Sequence, residues 1–206
     1  MSTATAQQTQ RTMKKTVAIL LFDEIEVLDF AGPFEVFGVA NKLSENTAFN
    51  LITVATSRGT IRAVNGLKLI ADHTLEDCPS PDVLIVPGGA GTRKLLQQPT
   101  LLEWLRIKAR TAEIVASVCT GALLLGKIGL LDGLKTTTHH QCFDELRAIA
   151  PATIVDPSQR FHDNGKICTA AGISAGIDLS LHIIARLLGP EAAALTASHM
   201  EYERRS

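Results

Sequence analysis

Cys119 interrupts an apolar run, Ile114-Val115-Ala116-Ser117-Val118-Cys119-Thr120-Gly121-Ala122-Leu123-Leu124-Leu125, that begins β-like and resumes as a helix. Ile114 and Val115 suit a buried parallel strand, Gly121 permits a tight turn, and Ala122 to Ile128 reads as a helix. Cys119 is thereby placed on the strand-to-helix corner where a nucleophile elbow presents its side chain. Unpaired N–H groups at a helix start, with the dipole behind them, favour the thiolate, which is the nucleophilic form of cysteine. A lone cysteine ending a core strand is more often buried and inert, so the chemistry depends on its neighbours.

Three groups qualify as neighbours. Asp29, in Val27-Leu28-Asp29-Phe30-Ala31-Gly32-Pro33, is an acid among apolar residues just after the first strand. It fits either a catalytic carboxylate or an ordinary helix N-terminal acid. Pro87-Gly88-Gly89 ends another strand. Gly88 and Gly89 allow close approach of backbone N–H groups to a ligand, as an oxyanion pocket needs, though a tight loop has the same composition. Thr136-Thr137-Thr138-His139-His140 brings two histidines after a third strand, with His139 the better candidate of the pair. No third ligand stands at recognisable spacing, so metal binding is not expected.

The elements that must hold these residues alternate in type. Thr16–Phe22, Phe49–Ala55, Val83–Val86 and the Cys119 run read as buried strands, with a short one over 135–138. Pro33–Leu43, with proline in its first turn, Pro99–Arg110, Phe143–Ile149, Ile173–Leu188 and a last segment from Glu191 towards Glu203 read as helices. Asn65-Gly66 marks a hairpin within 59–70, and Asn164-Gly165 a second one joining 159–162 to 166–170. The order implies an α/β fold with a mostly parallel sheet and helices on both faces. Ligands bind beyond the carboxyl ends of such strands, where Gly88, Gly89 and Cys119 all fall.

Composition excludes several classes. With 206 residues, 46% hydrophobic and 20% charged, the chain has ample core for one domain over 16–206. The polar, Thr- and Gln-rich residues 1–15 read as a disordered tail without the apolar core of a signal peptide. Twenty basic against 21 acidic residues, a net charge of −1, argue against direct nucleic-acid binding. No apolar stretch is long enough for a membrane span, so a cytoplasmic location is expected. The four cysteines are scattered without C-x-x-C spacing, which argues against disulfides and a zinc site.

Five stretches together resemble a known family. Phe22-Asp23-Glu24 with Leu28-Asp29-Phe30-Ala31-Gly32-Pro33, Val86-Pro87-Gly88-Gly89, Ser117-Val118-Cys119-Thr120-Gly121, Thr137-Thr138-His139 and Ala171-Gly172-Ile173-Ser174-Ala175-Gly176-Ile177-Asp178 look like the ThiJ/PfpI superfamily, and within it the isocyanide (isonitrile) hydratase branch. The chain is also similar to the N-terminal ligand-sensing domains of AraC-type regulators, but its end at Ser206 leaves no room for their helix-turn-helix module. The resemblance implies a flavodoxin-like sandwich, a homodimer, a small-molecule substrate, no cofactor, a reactive Cys119 and Asp29 facing it. Thr120 stands where PfpI-like peptidases often carry histidine, which favours the hydratase pattern. His139 matches the Thr-Thr-His motif of that branch, followed by His140 where Trp often stands. The implied reaction is attack of the Cys119 thiolate on R–N≡C to give a thioimidate, hydrolysed with help from Asp29 to an N-substituted formamide. Thr120 and the Gly88 and Gly89 amides would assist by hydrogen bonding. A non-enzymatic ligand or redox sensor, or an enzyme acting on glyoxals, would need the same thiol. Asp23 and Glu24 read as loop solvation, and Asp178 as a structural helix residue.

Overall fold

Aliphatic and β-branched runs with no charged residue inside them form the centre of one sheet. In the computed structural model, which describes residues 13–204, these are β1 (Lys15–Leu21), β2 (Phe49–Ala55), β6 (Val83–Val86) and β7 (Ile114–Val118). β6 and β7 are buried along their whole length, as strands covered on both faces must be. Three further short strands complete the sheet: β5 (His73–Thr74), β10 (Phe161–Asn164) and β11 (Ile167–Ala170). The order is β10-β11-β7-β6-β1-β2-β5, parallel throughout except for the β10–β11 hairpin.

Helices cover both faces. On one, α1 (Val27–Leu43), α6 (Ala175–Leu188) and α7 (Pro190–His199) pack against one another. On the other, α4 (Gly121–Lys127) is flanked by α2 (Thr92–Leu95), α3 (Pro99–Thr111) and α5 (Phe143–Ile149). Two small ribbons lie outside the main sheet, β3 (Ile61–Arg62) with β4 (Lys68–Leu69) and β8 (Lys135–Thr136) with β9 (Ile154–Val155). The first ribbon turns through Asn65 (φ 64°) and Gly66 (φ 85°), the left-handed pair that an Asn-Gly dipeptide favours.

Several local expectations change, among them the helix expected from Ile173, which starts at Ala175. α1 begins at Val27, so Pro33 lies inside the helix rather than in its first turn. Proline there removes a backbone bond at a cost of about 3 kcal/mol. The burial of Phe30, and the close approach of Gly32 to the Ile177 side chain where α1 meets α6, outweigh it. The second hairpin turns on Gly165-Lys166, one residue later than expected, with Asn164 opposite Ile167. Asp163 fixes this register by accepting the Gly165 N–H at 2.7 Å. The short strand after α4 ends at Thr136 rather than at residue 138. Of the tail expected over 1–15, residues 1–12 lie outside the described residues, and Lys15 already belongs to β1.

Candidate active site

β7 ends at Val118 and α4 begins at Gly121, leaving Cys119 and Thr120 as the whole of the corner. Cys119 has φ 55°, in the left-handed region that non-glycine residues enter only when the surroundings enforce it. Its N–H is shared between the Ala170 and Ala171 carbonyls at 3.2 and 3.0 Å. Its own carbonyl accepts the Thr138 hydroxyl at 2.7 Å. A Cβ on Gly121 would overlap the Val86 carbonyl oxygen and come within 2.9 Å of that of Pro87. Gly121→Ala is therefore expected to cost about 3 kcal/mol through overpacking, read as a lower urea midpoint with an unchanged slope.

The thiol points at the first turn of α1. Asp29 there is fully buried, and its Oδ2 accepts the Gly88 N–H at 3.0 Å. Oδ1 is buried without a hydrogen-bond partner of ordinary geometry, and the carboxyl interacts with the Cys119 thiol. Burial pushes Asp29 up to about 7; the Gly88 N–H and the thiol oppose the shift, while the nearby Glu26 charge adds to it. Burial also pushes the Cys119 thiol up to about 12, reinforced by the Asp29 charge and opposed by backbone N–H groups of Thr120 and Ile173 at the sulfur. The thiolate expected from the helix start is thus not the resting form. α4 is only seven residues long, and loss of solvent together with a facing carboxylate outweighs two amides.

The amides of Gly88 and Gly89 are engaged within the protein. That of Gly88 holds Asp29, and that of Gly89 donates to Thr120 Oγ1 at 2.9 Å. Thr120 Oγ1 also meets the Thr92 hydroxyl at 3.2 Å, and Thr92 is itself anchored on the Gly89 carbonyl at 2.7 Å. A Cβ on Gly88 would lie 2.5 Å from Thr120 N and 2.9 Å from Asp29 Oδ2, so glycine is what lets the β6 loop, the elbow and the carboxylate meet. These two amides therefore orient Asp29 and Thr120, whereas the N–H groups at the sulfur come from Thr120 and Ile173.

His139 is half-buried, with its ring against Gly172, where a Cβ would lie 2.5 Å from Cδ2. Burial, and then the charges of His140 and Arg93, lower its pKa, which favours a neutral imidazole beside the 172–173 turn. His140 is exposed and stacks on it at 4.3 Å between centroids. Asp23 has a structural role, accepting the Arg62 N–H at 2.7 Å, and Glu24 pairs with Lys94. Three further residues, Ile173, Thr92 and Thr138, belong to the site. They act through a backbone N–H or through hydroxyls bound to backbone, and nothing in a residue's type announces that. Among the described residues no group of three or more His, Cys, Asp or Glu is arranged to hold a metal ion. The pair of a buried thiol and a proton-poised carboxyl can instead add a sulfur and a proton to a small unsaturated electrophile.

Comparison with known proteins identifies the family and the fold. Residues 15–186 match the DJ-1/PfpI family. Isonitrile hydratase of Pseudomonas putida is 35% identical over 190 residues, covering 92% of this chain and 79% of that protein. The HTH-type transcriptional regulator CdhR of Pseudomonas aeruginosa is 30% identical over 181 residues, 88% of this chain but 53% of the regulator, so the chain spans about half its length. Among solved structures, a THiJ/PfpI family protein from Pseudomonas syringae superposes with a TM-score of 0.84 at 27% identity, covering 100% of this chain and 83% of that one.

Proposed function

The chain belongs to the DJ-1/PfpI family, and from that premise we propose that it is an isocyanide hydratase, converting R–N≡C to an N-substituted formamide. The observation that carries the reading is the buried Cys119 thiol facing an Asp29 carboxyl pushed up to about 7, a pair that can trade one proton near neutral pH. Asp29 takes the thiol proton as sulfur attacks the terminal carbon, then delivers it to that carbon, giving R–N=CH–S–Cys119. Water adds across the C=N bond, its hydroxyl bonding to carbon while Asp29 accepts its other proton and passes it to the nitrogen. Collapse of R–NH–CH(OH)–S–Cys119 expels the thiol, which regains its proton, and releases R–NH–CHO. The net change is addition of one water.

Thr120 and Ile173 N–H groups face the sulfur and stabilise the charge it carries as it arrives and leaves. The Gly88 amide holds Asp29 and the Gly89 amide holds Thr120, the residue after Cys119, while half-buried His139, packed against Gly172, is the side chain proposed to border R. The test is incubation with an alkyl and an aryl isocyanide, with formamide identified by mass. Cys119-dependent formamide supports the reading; no formamide from either overturns it. An enzyme directed at glyoxals would give hydroxyacids instead.

A non-enzymatic ligand- or redox-sensing role is the second reading, favoured by 30% identity to the transcriptional regulator CdhR over 88% of this chain. Its mark is saturable ligand-induced stabilisation, or reversible oxidation of Cys119, without turnover. The proposal includes a cytoplasmic homodimer. No described helix is long and apolar enough to cross a membrane, and α1 exposes Leu28 (37%) and Phe34 (42%). Light scattering is expected to give twice the 22.1 kDa chain mass, and Phe34→Glu to shift it to the monomer.

A further inference from the structure

Half-buried Arg160 and buried Asp178 form an ion pair that the proposed reaction does not use. We propose that Arg160, gripped by Asp178, is a positioning residue for Cys119, because it fixes the 171–174 turn that aims the Ile173 N–H at the sulfur. The inference rests on reading Cys119 as the reacting group.

The turn needs a clamp. Ile173 is β-branched and has φ 50°, a strained conformation that persists only when its surroundings over-determine it. Arg160 holds both sides of it. Its carbonyl accepts the Ala171 N–H at 2.8 Å, and its Nη2 donates to Ser174 Oγ at 3.2 Å. Ala171 is itself tied to the elbow, since its carbonyl accepts the Cys119 N–H. The guanidinium is fixed in turn by Asp178, 2% exposed in the first turn of α6, with Nε and Nη2 at 2.8 and 2.7 Å from Oδ2. Tyr202 donates to Asp178 Oδ1 at 3.1 Å. A planar guanidinium spans the carboxylate and the serine together, which a lysine ammonium on the same anchor does not.

Breaking the bridge frees Ile173 to relax towards negative φ, which turns its N–H away from the sulfur and removes one of the two amides that favour the thiolate. The readout is the pH–rate profile of iodoacetamide alkylation at Cys119, followed on the Cys119 peptide by mass spectrometry at a temperature well below unfolding. In Arg160→Gln the profile moves up, with alkylation about three- to tenfold slower at pH 9. Arg160→Lys keeps the charge facing Asp178 and so recovers most of the melting temperature, but not the alkylation rate. Ser174→Ala, at an exposed position, leaves the fold intact and slows alkylation about twofold, so it decides the matter should Arg160→Gln not fold. Wild-type alkylation in Ser174→Ala, or in an Arg160→Gln protein whose only change is a lower melting temperature, overturns the inference. Failure of isocyanide turnover in the wild type removes the proposed reaction and leaves this readout untouched.

Discussion

Cys119→Ala is expected to abolish formamide production from isocyanides, lowering kcat by at least about a thousandfold, while the protein keeps its fold and melting behaviour. The size of the effect follows from what is removed. Without sulfur no thioimidate forms, and water must attack the isocyanide carbon directly with only Asp29 to move protons. The fold survives because the elbow is held by the backbone: the Cys119 N–H is bound by Ala170 and Ala171, its carbonyl by Thr138, and an alanine at φ 55° is no more strained than the cysteine it replaces. Cys119→Ser separates nucleophilicity from shape. The serine hydroxyl is smaller, less polarisable and far less acidic than a thiol, so it is expected to behave like alanine in kcat. Turnover within tenfold of wild type in either variant would remove covalent catalysis from the mechanism and leave Asp29 as the base for a direct hydration.

Much of the frame behind that prediction is legible in residue types, because it depends on burial. The uninterrupted aliphatic run of β1 and those of β6 and β7 have no amphipathic face, as strands covered on both sides require. The helix Phe143–Ile149 and the Asn65-Gly66 turn also stand where local pattern puts them. Local pattern fails where tertiary contacts override it. Pro33 reads as a helix start, yet packing of Phe30 and Gly32 extends α1 back to Val27, and that extension carries Asp29 into the first helical turn. β5 and β9, two residues each, are too short to have a period at all. In the site, Cys119 is readable from its corner and Asp29 from its apolar company, but no spacing rule brings residue 29 to residue 119. Their approach comes from β1, β6 and β7 lying side by side, with Gly88 too small to hold them apart. The thiol's proton affinity is equally invisible locally, since it is set by burial and by the carboxylate across the gap.

Asp29→Asn is expected to move three observables in directions that no simple loss of structure reproduces. Hydration should fall by about two to four orders of magnitude, the range lost with a general acid–base group. Asparagine keeps an oxygen for the Gly88 N–H, so the geometry is retained, but it neither accepts the thiol proton nor delivers one to carbon. Alkylation of Cys119 at a fixed pH should become faster, because the Asp29 charge is one of the causes holding the thiol up and its removal favours the thiolate. A more reactive sulfur in a nearly inactive enzyme separates proton transfer from nucleophile strength as the limiting requirement. Stability should rise at neutral and alkaline pH. The folded-state pKa of Asp29 is raised from 3.8 to about 7, so between those values the native state binds a proton that the unfolded chain has already released. The stability contributed by the protonated carboxyl is therefore complete below about pH 3.8, declines as pH rises, and is gone above about 7, where an ionised carboxylate sits in a buried site. Asparagine carries no such dependence. Urea unfolding at pH 5 and pH 8 should show wild type losing stability across the interval, on the order of a few kcal/mol, and Asp29→Asn losing much less. Equal losses in the two proteins would mean that Asp29 is already ionised near pH 4. It would then start every turnover fully ionised, keeping its role as the base for the thiol proton, and the raised carboxyl pKa on which the pair's proton sharing near neutral pH rests would be lost.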